Sequence, residues 1–162
     1  MRLVFFYLTL LLAQGILTVL LAPLPAPDLF LLAVLALMWR LAPWQLVLIG
    51  YVIGLFQDIL GQGQIGVHAL ALAGGAMFAL FVKSQVNPTS LLSRSLAVLM
   101  GMLGKWLALA PLLIWMTGEL TSPLASLEVA PTEAVLTLLA SFFVFPFADA
   151  LNIPTPRRER TL

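Results

Sequence analysis

The sequence predicts an all-α membrane protein of six transmembrane helices, with both termini in the cytoplasm. Three observations predict it. Of 162 residues, 62% are hydrophobic and only 9% are charged, against roughly 25% in an ordinary soluble domain, and the mean hydropathy is +1.08. Eight basic and seven acidic side chains cannot cover the surface of a water-soluble fold of this size, and so apolar a chain is not intrinsically disordered. The apolar runs are of helical length and none alternates with period two, which argues against a transmembrane barrel and for an α-bundle. Finally, seven of the eight basic residues fall on one side of a six-span chain. At about 20 residues per span, residues 1–162 make a single polytopic domain and leave no room for a soluble catalytic domain.

The first segment is Leu3–Ala22. It follows Met1-Arg2 as the core of a signal peptide would, but it is long for one. Pro23, Pro25 and Pro27 stand where a small-residue cleavage site would be, so it reads as a retained span. The second is Leu29–Trp39, opened by Pro27 and by Asp28 as a helix cap. Residues 29 to 40 rise only about 18 Å as a helix, short of the ~30 Å hydrocarbon core. This is either a short or tilted span shielded by its neighbours or a re-entrant segment. The third, fourth, fifth and sixth are Trp44–Leu60, Ile65–Val82, Ser95–Trp115 and Thr132–Leu151. Trp39, Trp44 and Trp115 lie near span ends, as interfacial anchors do. Pro111 and Pro146 are expected to kink their helices, and Phe142, Phe143, Phe145 and Phe147 to face lipid or packing surface.

With six spans, Arg2, Arg40, Lys83, Arg94, Arg157, Arg158 and Arg160 share one side, which the positive-inside rule makes cytoplasmic. These residues set topology and can also meet anionic lipid. The opposite side carries Asp28, Glu119 and Glu128, with Glu133 at the start of the last span. A net charge of +1 is too weak a bias to suggest nucleic acid as a partner.

Helices in lipid associate through small residues and polar side chains. Gly50, Gly54 and Asp58 share a face of the third segment; His68, Ala71, Gly75 and Ala79 share one of the fourth; Gly101 and Lys105 stack on the fifth beside Gly104 and Ala108. Asp58, His68 and Lys105 are therefore expected to point into the bundle. Asp58 and His68 lie at similar depth across a short polar turn. Either they bond each other, or Asp58 caps the turn by bonding the amides of 60–63. Lys105, at mid-span, pairs with Asp58, faces a wet cavity or sits at a protein interface. Asp149 lies at a helix C-terminus, where the dipole disfavours an anion, and Arg157 or Arg158 would compensate it.

No HExxH, Gly-x-Ser-x-Gly or Walker A pattern is present. With one His and no Cys, an ordinary structural zinc site cannot be built. No metal, cofactor or catalytic residue is expected, and the chain reads as non-enzymatic.

The stretch Gly54-Leu55-Phe56-Gln57-Asp58-Ile59-Leu60-Gly61-Gln62-Gly63-Gln64-Ile65-Gly66-Val67-His68-Ala69-Leu70 resembles the signature of the rod shape-determining protein MreD family. There a Gly-Leu-x-x-Asp, a Ser/Gly-rich turn and a Leu-Gly-x-x-Ala-Leu recur at this spacing. Gly54, Asp58, Gly66, Ala69 and Leu70 match position by position, and His68 is common in the family. The approach is similar too, with Pro27-Asp28-Leu29 opening a short second segment and Arg40 preceding the third. Gly61 departs from a frequent Ser, Gln62 and Gln64 from Gly and Pro, and Ile65 from Leu, without changing the length of the turn. The resemblance covers roughly residues 27–70.

It implies a non-enzymatic component of the bacterial inner membrane, within the elongation complex that maintains rod shape. Its direct partner would be the bitopic protein MreC. MreB, the RodA glycosyltransferase and its penicillin-binding transpeptidase would stand further out. It also implies a six-helix fold similar to the substrate-binding subunits of energy-coupling-factor transporters. Two functions follow as expectations. One is a scaffold that positions MreC, with Gly54, Asp58, Gly66 and His68 structural. The other is a small-molecule or lipid binder, transport-related, with Asp58, His68 and Lys105 lining an outward polar pocket and Gln57, Gln62 and Gln64 at its mouth.

Overall fold

The computed structural model describes residues 2–61, 64–83, 85, 90–118 and 121–151. Among them are six helices and no strand: α1 (Arg2–Leu20), α2 (Leu29–Ala36), α3 (Pro43–Leu60), α4 (Val67–Lys83), α5 (Leu91–Thr117) and α6 (Thr121–Ala150). Four are long and apolar enough to cross a membrane, over Arg2–Leu20, Pro43–Leu60, Leu91–Met116 and Glu128–Ala150. The chain is accordingly an α-helical, multi-pass membrane protein. α4 is apolar but one residue short of that length class.

The second segment departs most from a lipid-facing span. α2 has eight residues, about 12 Å of rise, and every one of them is buried. Leu29-Phe30-Leu31-Leu32-Ala33-Val34-Leu35-Ala36 is apolar all round, and a helix with no polar stripe is stable only when enclosed. α1, α3, α4, α5 and α6 all pack on it. Helical turns carry the chain on to Arg40. α2 is thus the central post of the bundle.

Around it, α3, α4 and α5 form a tight layer, packed through small residues. A Cβ at Gly54 of α3 would fall against the His68 carbonyl oxygen and 2.5 Å from the Ala69 Cα of α4. A Cβ at Gly104 of α5 would come 2.5 Å from the Phe78 Cβ and 2.6 Å from the Gly74 carbonyl oxygen. The backbones are therefore near contact, which is how helices gain dispersion energy in a solvent as apolar as themselves. α2 rests on this layer, with Leu31 against Gly75 and Leu35 against Gly101. α6 packs on α5 and α2, and α1 mainly on α2. Between α1 and α3 an apolar groove of about 350 Å³ stays open, with Ala33 and Leu37 at its base.

Helix ends have local causes. α3 begins at Pro43, a residue suited to the first helical position, and the Gln45 side chain accepts from the Ala42 amide. α5 runs from Leu91, earlier than Ser95, and stops at Gly118, whose φ of +68° is the left-handed cap that glycine supplies. α6 starts at Thr121 rather than Thr132 and passes through Pro131 and Pro146 without interruption.

Candidate functional site: two interior polar clusters and a basic end

Asp58 is 1% exposed. Its Oδ2 accepts from the amides of Gly66 at 2.8 Å and Ala69 at 3.3 Å; its Oδ1 accepts from the His68 amide at 3.0 Å and lies 2.7 Å from His68 Nδ1. These amides belong to the first turn of α4 and its approach, where a helix leaves donors unsatisfied. Of the two expectations for Asp58, the bond to His68 is present. The capping expectation is corrected: the amides that Asp58 accepts from are those of 66, 68 and 69 at the start of α4 rather than 60–63. Gly54, one turn earlier on α3, lets the two backbones close far enough for the carboxylate to reach. Gly66 adopts φ +102°, a conformation that L side chains rarely take. The ring of His68 is half-exposed.

Lys105 forms the second cluster. Its Nζ lies 2.5 Å from Asp28 Oδ2 and 2.6 Å from Glu133 Oε1, and it stands over the Trp106 ring at 5.7 Å from the centroid. Of the alternatives open for Lys105, pairing is realised, with Asp28 and Glu133 in place of Asp58. The expectation that Asp28 marks the outer surface is corrected accordingly: Asp28 is 4% exposed and sits beside the middle of α5. Glu119 lies outside the described residues.

Asp28 also caps α2, accepting from the Leu31 amide at 2.8 Å. Its own amide donates to Thr137 Oγ1 at 2.9 Å, and the Leu29 amide to Gln14 Oε1 at 2.9 Å. The reason is general: non-helical backbone at membrane depth needs protein partners for its polar groups. α2 begins inside the bundle, so α1 supplies Gln14 and α6 supplies Thr137. Neither residue was expected at this site. The available signal was the single amide side chain of the mostly apolar first helix, and a threonine one turn after Glu133 in the last.

At the other end of α2, the basic residues gather. Arg40 and Arg94 each reach Asp149 at 2.8 Å, Lys83 donates to the Leu41 carbonyl at 2.6 Å, and Arg94 lies over the Phe145 ring. Phe6 stacks on Phe147 at 5.7 Å, bringing the Arg2 end of α1 to the same side. Asp149 is thus compensated by Arg40 and Arg94; Arg157 and Arg158, expected to compensate it, lie outside the described residues, as does Arg160. The phenylalanine group divides, with Phe142 and Phe143 exposed and Phe145 buried.

Asp58, His68 and Lys105 therefore do not share one cluster. Asp58 and His68 meet at the α3–α4 turn, and Lys105 meets Asp28 and Glu133. His68 lies within electrostatic reach of Glu133, which makes the two clusters neighbours. Gln57 has a buried carbonyl oxygen with no hydrogen-bond partner among the described residues, and Gln62 lies outside them. Comparison of the chain with protein families, with characterised proteins and with solved structures finds no match.

Proposed function

We propose that this chain is a non-enzymatic scaffold of the bacterial inner membrane, with six membrane-crossing segments and both termini cytoplasmic, of the rod shape-determining MreD kind. Its role is to hold MreC in the elongation complex and so to help regulate peptidoglycan synthesis and cell shape. The observation that supports this most is the Gly54–Ala69 segment. Gly54, Asp58, Gly66 and His68, the residues that carry the resemblance, are all occupied in joining α3 to α4. A segment whose one carboxylate is consumed in capping the next helix suits a platform better than a reaction site or a ligand-binding mouth. Arg2, Arg40, Lys83 and Arg94 at one end support the orientation, since basic residues collect on the cytoplasmic face.

The alternative of a solute-binding subunit with a polar pocket around Asp58, His68 and Lys105 has less support, because Asp58 and Lys105 stand in separate clusters and each has partners within the chain. The test is co-purification. Co-expressed with MreC and extracted into nanodiscs, the chain is expected to carry MreC with it at a fixed ratio. Recovery of the chain alone under these conditions would refute the scaffold reading.

A further inference from the structure

The charges of the Asp28–Lys105–Glu133 cluster do not balance. Two carboxylates and one ammonium leave a net charge of −1, and all three side chains are nearly out of solvent. An uncompensated charge in so apolar an interior is unstable, and such groups acquire a partner or are neutralised. We propose that this cluster is a binding site for one exchangeable proton, and that the proton resides on the Glu133 carboxyl.

The hydrogen bonds choose between the two acids. Both oxygens of Asp28 are engaged, one by the Leu31 amide and one by Lys105. It also stands at the N-terminus of α2, where the helix dipole favours an anion. Glu133 has only Oε1 engaged, by Lys105; Oε2 accepts nothing among the described residues and is the free seat for a proton. Lys105 is held as ammonium by two acceptors at hydrogen-bonding distance.

Among the described residues the charged groups near Glu133 are few. α5 presents Lys105, the entry to α2 presents Asp28, α4 presents His68, α3 adds Asp58 through His68, and α1 contributes the uncharged Gln14, bonded to the Leu29 amide beside Asp28. On α6 itself Thr137 follows one turn later, and the acid Glu128 is exposed. No second cation is bonded to Glu133 among them. The proton is the smallest ligand that neutralises the cluster, and it needs no room.

The experiment is infrared spectroscopy of the chain in nanodiscs at neutral pH, in ordinary and heavy water. A protonated carboxylic acid has its own carbonyl stretch, which shifts on deuteration. The wild-type chain is expected to show this band and Glu133→Gln to lose it. Asp28→Asn is also expected to lose it, because the remaining Lys105–Glu133 pair is neutral with Glu133 ionised. A wild-type spectrum without the band overturns the proposal, as does a band that survives in Glu133→Gln or in Asp28→Asn. A missing band combined with a melting temperature that rises with sodium or potassium would assign the site to a metal cation instead.

Discussion

Lys105 of α5 and Asp28 at the start of α2, 77 residues apart in the chain, form a buried ion pair at 2.5 Å. The pair fixes where α2 begins. Without Lys105, the carboxylate that caps α2 would be an unpaired charge in the middle of the bundle. Lys105→Met is therefore expected to cost about 3 to 5 kcal/mol, the usual cost of removing one partner of a buried pair. Asp28→Asn combined with Lys105→Met should recover part of that loss, because two neutral groups need no compensation. Thermal melts of the two single variants and the double variant, in one detergent, give the coupling; strictly additive losses would mean that the pair does not interact.

Gly54 and Gly15 are both helical, and their alanine variants are expected to move stability in opposite directions. Gly15 has no atom within 4 Å of an added Cβ, so Gly15→Ala should gain up to about 1 kcal/mol of helix propensity. At Gly54 the added carbon meets backbone atoms of α4. Backbone does not move aside as a flexible side chain would, so Gly54→Ala is expected to lose about 3 kcal/mol or more. Melting temperatures of the two variants check the signs; an unchanged Gly54→Ala would mean that α3 and α4 are less closely packed than described.

Asp58→Asn tests the cap of α4. An amide keeps one acceptor but turns an NH₂ group toward amides that can only donate. Charge-assisted bonds are lost and a donor faces a donor, so a cost of about 1.5 to 3 kcal/mol is expected. The readout is amide hydrogen exchange in the first turn of α4: Gly66, His68 and Ala69 should lose protection while the middle of α5 keeps it. Uniform loss across the bundle would show instead that Asp58 supports the whole fold.

Asp149 provides a contrast in location. It too bonds two cations, Arg40 and Arg94, but it is about half-exposed. Exposed pairs contribute little, so Asp149→Asn should cost less than about 1 kcal/mol, and less again at high salt. A loss comparable to that of Lys105→Met would place this end of the bundle out of water.

What the sequence made legible is largely local. The Asp58–His68 contact lies across a short turn, and spacing alone brought the two to one depth. Asp28 was readable as a cap for the same reason, since a cap and its amide are three residues apart. The partner of Lys105 was not readable. Helical periodicity gives the face on which a residue lies, but not how far the chain after Pro23 folds back into the bundle before α2 begins. That depth brought Asp28 and Glu133 inside and left Asp58 to α4. The length of α2 was read correctly as too short for an ordinary span, and its uniform apolarity carried the further fact that it is enclosed. The start of α6 is not legible in the sequence, because Pro131 reads as a boundary in a solitary helix, whereas here the helix continues through it.

On the proposed scaffold function, the chain serves a membrane partner by keeping a fixed shape. The most direct measurement is the melting temperature of the chain in nanodiscs, alone, with co-embedded MreC, and with a panel of vitamins and lipid head groups. A rise with MreC, and none with the small molecules, is the predicted result. A rise with one of the small molecules, and none with MreC, would contradict it.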